Sequence, residues 1–180
     1  MQVSALIKQK SYEKIIFLLH RHPITFVPIL GLFLLLILIP VSIYFLITNL
    51  YPNILDNQVV YVIAVLFASI YFLSTYLFFY VRFIDYYLDI WIVTNDRIID
   101  IEQHGLFSRV VTELDLFRIQ DVTTNVNGFF QTVFRYGDII VTTASTNTNI
   151  IFKRVPEPDK VREELITAAD QDRKYHLGGG

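Results

Sequence analysis

The chain contains no cysteine and only seven glycines among its 180 residues. The lack of thiols excludes disulfides, thiolate metal sites and cysteine nucleophiles, and it fits a reducing compartment. Glycine-rich phosphate loops are absent as well. Formal charge is also scarce, because Asp56 is the only charged side chain between Arg21 and Arg82 when histidine is counted as neutral. The first two absences argue against thiol and nucleotide chemistry, and the scarcity of charge indicates a segment that lies in a membrane.

Two long runs without Asp, Glu, Lys, Arg or His occupy this part of the chain. Residues 24–47 provide 24 such positions, and residues 59–81 provide 23. A hydrocarbon layer of ~30 Å needs about 20 apolar residues in a helix. The polar break at 48–58 is long enough to reverse the chain and too short to form a domain. The sequence therefore predicts a transmembrane helical hairpin over 24–81, with spans 24–47 and 59–81 and an outer loop at 48–58.

The basic residues around the hairpin predict its orientation. The loop has no Lys or Arg, whereas both flanks carry them, so the positive-inside rule places both termini in the cytoplasm. The localisation expected is the inner (cytoplasmic) cell membrane, with more than one pass. A cleaved signal peptide is the alternative, but the first run is too long and no small-x-small cleavage site follows it. The side chains expected to contact the membrane surface are Lys8, Lys10, Lys14, Arg21 and Arg82.

The segment 1–23 is predicted to be cytoplasmic or interfacial. Within Ser11–His22, apolar residues recur at helical spacing, which is typical of an amphipathic helix lying on the inner leaflet. The alternative is a plain cytoplasmic extension of the first span. The sequence leaves these two interpretations open.

Pro40 interrupts the hydrogen-bond ladder of the first predicted span. It lacks the amide hydrogen that would bond the carbonyl of Leu36, so a kink or a looser turn is expected there. Acidic, basic and histidine side chains normally mark ion or proton paths, and neither span contains one. We therefore interpret Pro40 as setting a packing angle and not as a gate.

The sequence pattern of residues 85–175 is typical of a small β domain. Short β-branched and aromatic runs alternate with turn signals such as Asn95-Asp96, which is typical of an antiparallel sandwich or open barrel. The final helix is predicted to start near Pro158 and to cover the open end of the sheet with an apolar stripe formed by Val161, Leu165 and Ala168 or Ala169. Residues 125–134 predict a turn with an apolar plug, and residues 176–180 a flexible tail. The predicted strands are 88–94, 97–103, 109–116, 119–124, 138–143 and 149–153.

Several stretches of the chain resemble a known family. The runs YLDIWIVTNDRIIDIEQHGLF, ELDLFRIQDV, FRYGDIIVTT and FKRVPEPDKVREEL are similar to the bacterial pleckstrin-homology domain of YdbS-like membrane proteins. This resemblance implies a barrel of two roughly orthogonal sheets capped by the C-terminal helix, giving an α+β chain overall. It implies no particular biochemical activity, because a fold does not fix a function. The motif positions that carry it are Thr94, Arg97, Gly105, Arg118, Asp121, Gly137 and Pro156.

Four carboxylates on the predicted strands are the candidates for acid–base chemistry. Asp100 and Glu102 lie on one predicted strand, and Glu113 and Asp115 lie on the next. Paired carboxylates can transfer protons. Strand alternation, however, predicts that these side chains face solvent. The sequence therefore predicts no catalytic, cofactor-binding or metal-binding residue.

Three arginines suggest an alternative anion site. Arg97, Arg118 and Arg135 would form a pocket for lipid headgroups, whereas an ion pair of Arg118 with Asp121 is the simpler interpretation. Residues 82–180 carry eleven basic and fifteen acidic side chains. That excess of acid argues against nucleic acid, whose binding needs clustered Lys and Arg.

The sequence thus predicts a membrane-anchored, non-enzymatic interaction or scaffold module with a PH-like domain at the cytoplasmic face. Its expected partners are membrane lipids together with either another protein or a second copy of the chain, and no cofactor is expected. Two alternatives stay open. One is a small membrane enzyme or accessory subunit that uses surface carboxylates, and the other is a module that binds anionic lipids.

Overall fold

The computed structural model describes residues 10, 12–51, 53–143 and 149–178. The chain divides into two compact units. One is a helical hairpin, Pro23–Tyr86. The other, here called the β domain, combines the residues up to His22 with those from Tyr87 onward.

The hairpin consists of two long apolar helices. A 3₁₀ turn at Pro23–Phe26 leads into α1 (Val27–Leu50), and α2 spans Gln58–Leu88. Their mean hydropathies reach 2.8 and 2.1, and only 6% of each apolar stretch is buried inside the protein. Both helices are long and apolar enough to cross a membrane, as predicted. α2 continues past its predicted end because Arg82 and Asp85 are compatible with a helix.

Pro40 lies inside α1, which stays helical on both sides of it. The carbonyl of Leu36, which has no amide partner at position 40, accepts a hydrogen bond from the Tyr71 hydroxyl of α2 at 2.9 Å. The rings of Phe33 and Phe79 also stack between the two helices, with centroids 4.2 Å apart. A second helix therefore satisfies the backbone group that proline leaves open, as apolar surroundings require.

The β domain contains seven strands arranged in two antiparallel sheets. The first sheet has the order β1-β2-β3-β4 and the second has the order β5-β6-β7. The six predicted strands are confirmed as β2 to β7. The elements are β1 (Ile15–His20), β2 (Ile90–Thr94), β3 (Arg97–His104), β4 (Ser108–Asp115), β5 (Ile119–Asn125), α3 (Phe129–Val133), β6 (Tyr136–Thr143), β7 (Ile150–Pro156) and α4 (Pro158–Gly178).

Strand β1 corrects the prediction for the segment before the first span. The amphipathic helix, one of the two interpretations left open for residues 11–22, does not form in the described part of this segment, because Ile15–His20 pairs with β2 in antiparallel register. Leu18 lies opposite Ile92, and Leu19 lies opposite Trp91. The helical spacing was real, but a neighbouring strand edge decides the conformation of a short apolar run. The β domain is therefore built from residues on both sides of the hairpin.

The two sheets enclose the core without closing into a barrel. No strand pairing joins them among the residues that the structure describes, so the barrel that the resemblance implied is corrected to an open sandwich, one of the two arrangements that the strand pattern predicted. Trp91 of the first sheet faces Phe152 of the second, with ring centroids 5.7 Å apart. α4 covers this core with the apolar stripe that the sequence predicted. The buried residues of that stripe are Val161, Leu165, Ala168 and Ala169.

Two local predictions change in the second half of the domain. The aromatic residues of 125–134 form the short helix α3 and do not plug the core, because Phe129 and Phe130 are 75% and 67% exposed. α4 continues to Gly178, so part of the segment 176–180 predicted as a flexible tail is helical. No helix-breaking residue precedes Gly178, and the helix accordingly propagates to it.

Candidate functional site

The motif residues Thr94 and Arg97 bind a buried acid from the N-terminal segment. Both carboxylate oxygens of Glu13 accept from Arg97, at 2.9 Å from Nε and 3.0 Å from Nη2. The Thr94 hydroxyl adds a hydrogen bond at 3.0 Å. Burial alone would raise the pKa of Glu13, but the bonds from Arg97, the Lys10 amide and Thr94 lower it below its ordinary value. This network fixes β1 against the turn between β2 and β3.

The lysines predicted to contact a membrane also bind this turn. Lys10 Nζ lies 2.5 Å from Asp96, and this contact raises the pKa of the lysine. The Lys14 amide donates to Asn95 Oδ1 at 2.6 Å. Lys8 lies outside the described residues, and the membrane contact of all these side chains stays a prediction.

Arg21 and Asp89 lie where the chain leaves the β domain for the hairpin and where it returns. Their side chains form an ion pair. The second oxygen of Asp89 accepts from the Gln103 amide at 2.9 Å. Burial raises the pKa of Asp89, although Gln103 and Arg21 favour the charged form. The pair ties the two connections of the hairpin together, which sequence reasoning missed because the residues are 68 positions apart. On α2, the other predicted membrane-contact residue, Arg82, lies over the ring of Phe78.

Asp100 is a buried acid on β3. It is 7% exposed, and its Oδ1 has no hydrogen-bond partner among the described residues. Burial and the nearby charges of Glu102 and Asp89 raise its pKa to about 7, while Lys153 opposes them. The indole N–H of Trp91, opposite in the strand register, favours the charged form but does not reach hydrogen-bond geometry. The prediction that Asp100 faces solvent is wrong, since both faces of β3 are covered at this position.

The four candidate carboxylates do not form one group. In the β3–β4 register Asp100 lies opposite Thr112, whereas Glu113 lies opposite Ile99, so the two acids belong to opposite faces of the sheet. Glu102 binds Lys153 at 2.7 Å. These contacts connect β3 to β7 and provide no paired carboxylates open to a substrate.

The three arginines of the proposed anion pocket do not converge, because Arg97 and Arg118 both lie beside Asp115 whereas Arg135 lies just before β6. Arg97 binds Glu13 and also Glu113, the latter at 2.5 Å. Arg118 binds Asp115 at 3.1 Å, so its predicted pairing with Asp121 is wrong. Both aspartates are three residues from Arg118, but the 3₁₀ turn brings Asp115 within reach, whereas Asp121 lies on extended β5 and accepts from the Val122 backbone amide and the Thr123 hydroxyl.

The remaining motif positions have backbone roles. Gly105 adopts a φ of +68° in the turn between β3 and β4, a conformation that favours glycine. At Gly137 a Cβ would lie 2.8 Å from the Asn125 carbonyl, so only glycine fits. Pro156 ends β7 opposite Tyr136. These residues shape the fold and do not themselves present chemistry.

Among the residues that the structure describes, the open surfaces of the β domain include the β4 edge and two loops. β4 forms an edge of its sheet, and its Val110 and Val111 are 46% and 47% exposed. The α3 loop and the β3–β4 turn present apolar side chains, including Phe107 at 98% exposure. Among the described residues, no group of three or more His, Cys, Asp or Glu is arranged to hold a metal ion.

A two-sheet β domain with a C-terminal helix over its core, joined to two long apolar helices, defines a PH-like α+β chain. The chain belongs to the bacterial PH domain family, which matches residues 23–169. β1 lies before that range. The chain is also similar to a solved structure, a DUF1696 family protein with a pleckstrin-homology domain from Shewanella loihica PV-4. That likeness has 14% identity over 47% of this chain and 70% of the other, with a TM-score of 0.36. None of the curated proteins compared with the chain matches it.

Proposed function

We propose that the chain is a non-enzymatic interaction module that the helical hairpin anchors in the inner cell membrane, as in YdbS-like proteins. The two apolar helices and their low burial support the anchor. The basic flanks and the loop without Lys or Arg support multi-pass insertion with both termini in the cytoplasm. Glu102, two residues from the buried Asp100, is paired with Lys153, and Glu113 on the other face of the sheet is paired with Arg97. These ion pairs argue against acid–base catalysis.

The open edge of β4 carries the proposal. An unpaired strand edge offers backbone donors and acceptors to a further strand, and this is a common way to bind a partner. The edge of β1 has no charged residue between Ile15 and His20 that would set a register. β4 does, since Arg109 and Glu113 are placed symmetrically about Val111.

A second copy of the chain is the occupant that this symmetry favours. Antiparallel pairing of two β4 strands about Val111 sets Arg109 opposite Glu113 of the second copy, twice in each dimer. Opposite charges in directly facing positions stabilise such a pair. Glu113 is 51% exposed, although it also binds Arg97.

Cysteine crosslinking of the full chain in native membranes tests this register. The chain has no cysteine, so Val111→Cys introduces a unique thiol. Two-fold pairing places the two Val111 positions face to face, within the distance at which a disulfide forms. Val110→Cys is the matched control, because Val110 is equally exposed but faces Thr112 of the second copy. We expect a disulfide-linked dimer for Val111→Cys and little for Val110→Cys.

Charge variants in the Val111→Cys background complete the test. Arg109→Glu faces Glu113 with a like charge and should reduce crosslinking, and adding Glu113→Arg should restore it. In the double variant Arg97 keeps its bonds to Glu13. Equal crosslinking of both cysteine variants, or of neither, would contradict the β4 pairing. If Val111→Cys forms crosslinks only to other proteins, the partner at the β4 edge is a different protein and the proposed pairing of two copies is wrong.

A further inference from the structure

Both connections of the hairpin lie at one end of the β domain, here called the hairpin end. His20, the last residue of β1, lies opposite Ile90, the first residue of β2. The next residue outward on each side, Arg21 and Asp89, forms the ion pair already described. If α1 and α2 enter a bilayer, the bilayer surface lies close to this end.

The β3–β4 turn projects from the hairpin end. Ile90 pairs with Ile101, and β3 continues for three more residues to His104, which adds about 10 Å. The turn itself holds Leu106, 37% exposed, and Phe107, 98% exposed. An almost fully exposed phenylalanine at a strand turn is costly in water, and no contact among the described residues of the β domain explains it.

α3 lies at the same end. The His22 amide donates to the Arg154 carbonyl at 2.8 Å, and the His22 ring stacks on Tyr136 at 5.3 Å. Tyr136 begins β6, which follows α3 after two residues. His22 is the last residue of the β domain before the hairpin, so α3 lies near this connection within the β domain.

α3 presents an apolar side to its surroundings. Phe129 and Val133 are four residues apart, as are Phe130 and Phe134, so each pair shares a helix face. The rings of Phe130 and Phe134 are parallel at 6.5 Å. The exposed fractions are 75%, 67%, 54% and 42% for Phe129, Phe130, Val133 and Phe134.

The opposite end of the β domain is different in chemistry. Its β2–β3 turn consists of Asn95 and Asp96, which bind Lys14 and Lys10. Exposed aromatic side chains at this end contact polar or charged groups. Tyr12 directs its hydroxyl to Asp96, and the Arg118 guanidinium covers the ring of Phe117. The loops of the hairpin end, in contrast, expose phenylalanine rings that no charged group covers among the described residues.

We propose that these loops form a second membrane contact, in which the apolar side chains of the hairpin end insert into the interfacial layer of the bilayer that receives α1 and α2. This inference rests on the proposed anchoring, and it replaces the membrane contact predicted from the sequence for Lys10 and Lys14, which lie at the opposite end of the β domain. Apolar side chains of peripheral segments are buried about 5–10 Å into the boundary between headgroups and acyl chains. The residues of this surface, here called the hairpin-end surface, are Leu106, Phe107, Phe129, Phe130, Val133 and Phe134.

Site-directed fluorescence of the full chain in phosphatidylcholine–phosphatidylglycerol vesicles tests the contact. Because the chain lacks cysteine, Phe107→Cys and Phe129→Cys each accept a single environment-sensitive dye. Tyr175→Cys is the matched control, since Tyr175 is an equally exposed aromatic residue that shares a cavity with Asn95 at the opposite end. Leu66→Cys on α2 reports the hairpin itself. Nitroxide-labelled lipid and aqueous iodide serve as quenchers.

We expect dyes at positions 107 and 129 to be quenched by nitroxide lipid about threefold more than the dye at 175, and iodide to show the reverse order. If the dye at 66 is quenched by lipid while those at 107 and 129 behave like the dye at 175, this second contact is refuted and the anchor stands. If the dye at 66 is also exposed to iodide, the anchor fails and the contact with it. Protection from iodide without lipid quenching at 107 and 129 would replace the bilayer by a second copy or another protein. Quenching by lipid at only one of the two positions would refute a surface formed by both loops.

Discussion

Replacing Asp100 by asparagine should change how the stability of the β domain depends on pH. The carboxyl group lies in the interior with one oxygen lacking a hydrogen bond among the described residues, across the strand pair from Trp91. The asparagine side chain would keep the shape of the aspartate and stay neutral at every pH. The substitution therefore removes one titration and little else.

The sign of the effect follows from the two pKa values. In the unfolded chain Asp100 releases its proton near the ordinary value of 3.8, whereas burial raises its folded pKa to about 7. Between these values the folded state binds more protons than the unfolded state, so its contribution to stability falls as pH rises. Below the lower value and above the higher one, the contribution is constant.

The size of the effect follows from the difference of about three between the two pKa values. Each pKa unit is worth about 1.4 kcal/mol, so the shift corresponds to a change of about 4 kcal/mol in the free energy of unfolding. The opposing charge of Lys153 already acts in the folded pKa of about 7, and residual solvent access to the carboxyl reduces the figure further, so we expect about 2–3 kcal/mol. The free energy of unfolding of Asp100→Asn relative to that of the natural chain should rise by this amount between about pH 4 and pH 8.

The fluorescence of the only tryptophan provides the assay. Trp91 is fully buried, so unfolding of the full chain in detergent exposes it to water. Unfolding would be measured for the natural chain, for Asp100→Asn and for the control variant Asp170→Asn, which changes an exposed aspartate on α4. The same pH dependence in the natural chain and in Asp100→Asn would refute the reasoning. A fall in the free energy of unfolding of Asp100→Asn relative to that of the natural chain, as pH rises from about 4 to 8, would also refute the reasoning.

Two further variants test the motif network and the glycine contact in the same assay. Glu13→Gln should lower the free energy of unfolding by about 1–3 kcal/mol, because Arg97 loses its buried partner but keeps Glu113. An unchanged unfolding midpoint would show that β1 does not depend on this pair. Gly137→Ala should cost about 1–3 kcal/mol, because the new methyl group would lie 2.8 Å from a backbone carbonyl, whereas Gly31→Ala in α1, with nothing within 4 Å, should be nearly neutral. Equal effects of the two alanines would contradict the close approach.

Much of the architecture could be predicted because it depends on local patterns. The absence of charge located both helices, and period-two runs bounded by turn residues located β2 to β7. The apolar stripe of α4 was equally clear. Each of these signals lies within one element and needs no knowledge of its neighbours.

The contacts of the candidate site could not be predicted, since they depend on partners distant in sequence. Glu13 is 84 residues from Arg97, and nothing near Glu13 indicates an ion pair. Asp100 lies between isoleucines on a strand whose two faces are both covered, so alternation gave the wrong exposure for it. β1 was missed because its spacing also fits a helix, and only the adjacent β2 edge decides.

The position of β1 links the two units in a way that domain boundaries drawn on the sequence do not show. A fragment limited to residues 85–175 would lack β1 and Glu13. Such a fragment would leave β2 as a sheet edge, remove Leu19 from its place opposite Trp91 and leave Arg97 without its buried partner. Strand pairing across the hairpin requires that both long helices be synthesised before the first sheet is complete. The complete first sheet therefore needs residues from both sides of the hairpin, so the interaction surfaces proposed here belong to the full chain.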